Sequence, residues 1–211
     1  MVTGLLLLHT SPVHVPVFDA LRDRGHPGAG LRHLVVPELL ERARRDGPDS
    51  VAPALRELLA DAGPGPVLVT CSTIGAVAEA LAPALGRPVL RVDRPMAAAA
   101  VRTGPRITVL ATVESTLGPT RALLAEEAEA AGAAVSVRTH LVAGAWERFE
   151  AGDTEGCLAL VAAAADAVTG ADVIVLAQVS AAGAAERTTA RVPVLASPAA
   201  GLAAGLAALA G

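Results

Sequence analysis

The chain has no lysine, no asparagine and no tyrosine, and it has a single glutamine, Gln178. All 17 basic residues are therefore arginine. Without lysine there is no Schiff-base amine and no phosphate-loop lysine, and without tyrosine no phenolic acid. Aromatic residues make up 1% of the chain, too few for a platform on which nucleic-acid bases stack. Two cysteines, Cys71 and Cys157, do not make a disulfide framework. No GxGxxG or Walker pattern is present, so nucleotide binding has no support. The five histidines are His9, His14, His26, His33 and His140. Pro12 and Pro16 are read as breaking any helix that would align His9 with His14, no cysteine or carboxylate completes a ligand set, and no metal is expected.

The 211 residues that remain to be explained are 53% hydrophobic and 18% charged, with a formal net charge of −4. That is enough chain for one large domain or two small lobes. A mild negative charge argues against nucleic acid or an anionic membrane as partner. Leu5–Leu8 is apolar, but no positive region precedes it and His9 ends it, so a first strand is expected rather than a signal peptide. No uninterrupted apolar window approaches the length of a membrane span. The expectation is a cytoplasmic protein with no membrane partner.

Apolar runs of strand length alternate with helical patterns. Strands are expected at Leu5–Leu8, Val67–Val69, Pro88–Val92, Ile107–Leu110, Val135–Leu141, Val173–Leu176 and Val192–Leu195. Helices are expected at Pro37–Asp46, with Pro37 at its first position and Gly47 beyond its end. Further helices are expected from Ser50 as cap to Ala62, from Ile74 to about Leu85, over Met96–Val101, from Pro119 to Ala131, from Asp153 or Thr154 to Thr169, and over the terminal Gly201–Gly211. Alternation of this kind means an α/β fold with mainly parallel sheets flanked by helices.

The alternation also repeats. Thr10 precedes Cys71 by 61 positions and Thr112 precedes Gln178 by 66. Downstream, Arg87-Pro88-Val89-Leu90 and Val192-Pro193-Val194-Leu195 each lead into an Ala-rich helix. Two pseudo-symmetric lobes are expected: residues 1–93 plus about 193–211 carrying Cys71, and residues 94–192 carrying Gln178. Ligands of open parallel sheets bind beyond the carboxyl ends of strands. The residues expected around one cleft are therefore Thr10, Ser11, Cys71, Ser72, Thr73, Thr112, Ser115, Thr116, Gln178 and Ser180.

Cys71 is the leading candidate for chemistry. It stands between a buried strand and the first turn of a helix, where the helix dipole and unpaired N–H groups favour a thiolate. The same position also suits a small buried residue. Ser and Thr at a strand end either cap the next helix or bind a ligand, and only their recurrence at four strand ends raises the second reading. Gln178 either satisfies a backbone group or faces the site. Cys157 lies inside an apolar helix and is expected to be core.

Thr70-Cys71-Ser72-Thr73 after a first-lobe strand, with Ser72 where asparagine is usual, resembles the first cysteine motif of the aspartate/glutamate/hydantoin racemase superfamily. Ile107–Thr112 with Ser115-Thr116-Leu117 is similar to that family's strand and Thr-rich loop opening the second lobe. Gly144-Ala145 and Ala151-Gly152-Asp153 resemble its connecting segment, and Ala177-Gln178-Val179-Ser180 falls where its second cysteine motif belongs. The resemblance covers essentially the whole chain. It implies a racemase-like two-lobed fold, an enzyme of isomerase type without a cofactor, a small carboxylate-bearing carbon acid as substrate, and a homodimer as the assembly to look for. In the family two cysteines work on opposite faces of the carbon acid. Here Gln178 holds the second position, and an amide neither takes nor gives a proton near neutral pH. The chemistries left to one thiol at Cys71 are addition to a double bond, protonation of an enolate after decarboxylation, and removal and return of a proton on one face. The alternatives are a single-cysteine decarboxylase and a ligand-binding member of the fold without catalysis.

Overall fold

The computed structural model describes residues 4–209, so the last two residues of the expected terminal helix, Ala210 and Gly211, lie outside the described residues. The chain divides into two compact units, one ending at Val92 and resuming at Pro198, the other spanning Asp93–Ser197.

In the first unit the elements are β1 (Leu5–His9), α1 (His14–Gly25), β2 (Leu31–Val35), α2 (Pro37–Asp46), α3 (Ala52–Asp61), β3 (Val67–Val69), α4 (Ser72–Glu79), α5 (Ala82–Leu85) and β4 (Val89–Arg91). The strands form one parallel sheet in the order β2-β1-β3-β4. Every residue of β1 is buried, as expected of a central strand covered on both faces. Leu6, Leu8, Val67 and Val69 point to the side packed by Leu39, Leu55, Leu59 and Ile74 of α2, α3 and α4.

The second unit opens with α6 (Arg94–Thr103) and continues with β5 (Arg106–Ala111), α7 (Leu117–Ala130), β6 (Ser136–Leu141), α8 (Ala145–Glu150), α9 (Thr154–Asp166), β7 (Val173–Leu176) and β8 (Val194–Ala196). Its sheet is also parallel, in the order β6-β5-β7-β8, so the two units share one topology. On one face Ile107, Val109, Val173 and Val175 pack with α6 and α7. On the other, Leu110, Ile174 and Leu176 pack with Cys157, Val161 and Ala165 of α9.

Residues 193–197, expected in the first lobe, belong to the second unit, because β8 completes its backbone hydrogen bonds beside β7. Only the helix after it, α10 (Ser197–Ala207), joins the first unit. Its glycines make that packing close: a Cβ on Gly201 would stand 2.5 Å from the Val92 carbonyl oxygen, and one on Gly205 2.8 Å from Leu5.

Among strands and α-helices, α1, β2 and α8 were not foreseen, and the one helix expected from Ile74 to about Leu85 is two, α4 and α5. Pro16 does not break α1, because it lies in the first turn, where N–H groups have no helical partner to lose. Ser50 does not cap a helix. It sits in a 3-10 turn, Pro48–Val51, and its hydroxyl donates to the Gly47 carbonyl at 2.6 Å, while α3 starts two residues later. Asp153 does cap α9, accepting from the Gly156 N–H at 2.8 Å. Among the described residues no helix is long and apolar enough to cross a membrane.

Candidate active site

The β1–β3 register pairs Leu8 with Val69, so two residues further on Thr10 falls opposite Cys71 at the carboxyl end of the sheet. The ladder runs one step past the strands, the Thr70 N–H donating to the Leu8 carbonyl at 3.0 Å. Cys71 then takes extended backbone angles, φ −110° and ψ 115°, as the cap residue of α4. Extended geometry at that position leaves the first N–H groups of α4 facing the loop, the positive end of the helix dipole. Cys71 as a residue is 9% exposed and packs at the edge of the core, while Thr10 and Thr73 are buried and Ser11 and Ser72 half-buried. The five first-lobe residues expected at the site are thus assembled around the ends of β1 and β3.

The second unit repeats the arrangement on its own sheet. Leu110 pairs with Leu176, so Thr112 falls opposite Gln178 by the same two-residue extension. Gln178 also has extended angles, φ −130° and ψ 144°, before a 3-10 helix over Val179–Glu186. In register and in sheet face it is the counterpart of Cys71. Its amide is engaged at both ends: Oε1 accepts from the Thr112 N–H at 2.7 Å and Nε2 donates to Thr112 Oγ1 at 2.8 Å. One lone pair and one N–H remain for any other partner. Thr112 is buried and held by this clamp. Ser115 and Thr116 lie on the 3-10 turn Glu114–Thr116, with the Ser115 hydroxyl oxygen buried and without a hydrogen-bond partner, and Ser180 is half-buried in the next 3-10 helix.

Histidines supply what the sequence reading missed. His9 ends β1 with its ring fully buried, Nδ1 2.8 Å from Thr70 Oγ1 and Nε2 2.8 Å from His33 Nδ1. His33 Nε2 reaches Asp19 Oδ1 on α1 at 3.4 Å. Burial, with the nearby His14 and His33, pushes the His9 pKa down to about 3, and burial pushes His14 down to about 4. Both are neutral at physiological pH. Leu31-Arg32-His33-Leu34-Val35 is neither a continuous apolar run nor a clean alternation, so no periodic signal placed His33 on a strand beside His9.

Among the ten residues expected at the site, Cys71 alone carries a thiol. The others offer hydroxyls or an amide, suited to holding a carboxylate or an oxyanion.

A family model described as Asp/Glu/hydantoin racemase matches residues 17–205. No curated protein matches the chain in sequence. Among solved structures, a candidate Asp/Glu racemase from Yersinia pestis superposes with a TM-score of 0.73 at 18% identity, over 99% of this chain and 100% of that one. Glutamate racemase isoform RacE1 from Bacillus anthracis gives 0.70 at 18% identity, over 96% and 80%. A glycine-to-cysteine variant of arylmalonate decarboxylase gives 0.65 at 19%, over 99% and 94%. At these identities the likeness is one of fold.

Proposed function

We propose that this chain, which belongs to the Asp/Glu/hydantoin racemase family, is a cofactor-independent isomerase that acts on a small carboxylate-bearing carbon acid through the Cys71 thiol. The observation that carries the reading is the pair of equivalent strand ends: a thiol at one, and at the other an amide already bonded to Thr112. One proton-transfer group serves the reaction. As thiolate, Cys71 removes the proton next to the carboxylate, or adds to a neighbouring carbon–carbon double bond. Either step leaves negative charge on the carboxylate oxygens. Hydroxyls at Thr10, Ser11 and Thr73 and the N–H groups that open α4 are the donors that would hold that charge. Return of the proton after the enolate has turned its other face to the thiol, or expulsion of the thiolate after rotation about the former double bond, completes the cycle with no group consumed.

A second reading, a single-thiol decarboxylase, draws on the same observation. Loss of carbon dioxide from a substituted malonate generates the enolate without a base, and one thiol suffices to protonate it. The fold shared with arylmalonate decarboxylase is compatible with that course.

Incubation with small 2-substituted carboxylates, unsaturated dicarboxylates and substituted malonates in deuterated water separates the readings. Deuterium gained at the α-carbon, or a change of double-bond geometry, without carbon dioxide supports the isomerase. Carbon dioxide release with deuterium in the product supports the lyase. No turnover together with a Cys71 that alkylates no faster than an ordinary thiol would leave a binding protein.

A further inference from the structure

Four side chains form a hydrogen-bonded column at the carboxyl end of the first sheet: Asp19 from α1, His33 from β2, His9 from β1 and Thr70 just past β3. The direction of its bonds follows from counting protons. Asp19 is a carboxylate and can only accept, so the His33 ring proton sits on Nε2 facing it, and His33 Nδ1 accepts from the His9 Nε2–H at 2.8 Å. A neutral His9 then presents its lone pair at Nδ1, which accepts from the Thr70 hydroxyl at 2.8 Å, closer than the Leu8 carbonyl at 3.2 Å. The ring is enclosed by His14 and Phe18 of α1, at centroid distances of 6.0 and 5.6 Å, and stacks on His33 at 5.1 Å. Asp19 reaches it only through His33. Burial keeps His9 neutral, the form this bonding pattern requires.

Thr70 is the last residue tied to β1, and Cys71 is next in the chain. The plane of Thr70 therefore sets where the Cys71 side chain points relative to the N–H groups of α4. We propose that His9 is a positioning residue for Cys71, holding the Thr70 hydroxyl through the Nδ1 lone pair with its tautomer fixed by the column from Asp19. The proposal rests on Cys71 being the working thiol, and its test uses thiol reactivity rather than turnover, so the two fail separately.

The experiment measures iodoacetamide alkylation of Cys71 against pH by mass spectrometry of its peptide. Cys157 is fully buried in the α9 core and does not enter the readout. In His9→Leu and Thr70→Val the rate at neutral pH should fall by about tenfold and the profile move to higher pH, since a misdirected thiolate turns away from the positive end of α4. His9→Asn can put its amide oxygen, an acceptor, near the site of Nδ1, and Thr70→Ser keeps the hydroxyl; both should return the rate to within about threefold. A merely structural role predicts no such rescue pattern. Thr70→Val preserves shape and carries the test if His9→Leu does not fold. Rates in the Leu and Val variants that are unchanged or faster, or a His9→Asn rate as low as that of His9→Leu, overturn the proposal. Turnover retained in Cys71→Ser would instead remove the catalytic reading and leave the alkylation result standing.

Discussion

Two histidines buried in neutral form make the first unit acid-labile in a defined window. The pKa of His9 falls from 6.5 to about 3 and that of His14 from 6.5 to about 4, in both cases chiefly through burial. Below pH 6.5 the unfolded chain binds protons at both positions while the folded chain does not. Stability is therefore full above pH 6.5 and falls as pH drops toward the folded values. Each group contributes about 1.4 kcal/mol per pH unit inside the window, or about 2 kcal/mol at pH 5 and about 4 kcal/mol for the pair. Carboxylates with lowered pKa, among them Asp153, Glu155 and Asp172, act in the same direction, but only below their ordinary values of 3.8 and 4.5. The range from pH 6.5 to 5 thus isolates the histidines. Urea unfolding at pH 7.5 and pH 5.0 should show the loss, and His14→Leu, which removes one buried imidazole and its unpartnered Nδ1, should halve it. Unfolding free energies that agree within about 0.5 kcal/mol at the two pH values would refute the reasoning, since two buried neutral imidazoles require a slope.

Two further outcomes test the packing. Gln178→Ala leaves the Thr112 N–H and hydroxyl without their partner and should cost about 1–3 kcal/mol in urea unfolding; Gln178→Glu, which still accepts from that N–H, should lose less. Equal stability of Gln178→Ala and the parent would mean the clamp is not formed. Gly201→Ala drives a Cβ to 2.5 Å from the Val92 carbonyl oxygen and should lower stability by about 1–3 kcal/mol, seen as a reduced Tm; an unchanged Tm would mean that α10 does not lie as close to β4 as described.

Much of the fold was legible because a central parallel strand is apolar on both faces. Val67–Val69, Ile107–Leu110 and Val173–Leu176 stand out as short uninterrupted runs, and each is a strand. β2 was illegible because it lies at a sheet edge with Arg32 and His33 in its middle, so neither apolarity nor clean alternation marks it. α1 was missed through Pro16, whose effect depends on which helical turn holds it. At the site, the similar spacings Thr10–Cys71 and Thr112–Gln178 anticipated two matching registers. They could not reveal that Gln178 spends its amide on Thr112, because hydrogen-bond partners 66 residues apart are set by the folded sheet. The His9–Thr70 bond, across 61 residues, was hidden for the same reason.

The central claim is that one thiol, Cys71, does the chemistry. The direct measurement compares the parent protein with Cys71→Ser on the same carboxylate in deuterated water, following α-deuterium, double-bond geometry and carbon dioxide together. The account predicts turnover by the parent and none by Cys71→Ser, with the carboxylate still bound by the serine variant. Turnover by Cys71→Ser at the parent's rate would contradict it.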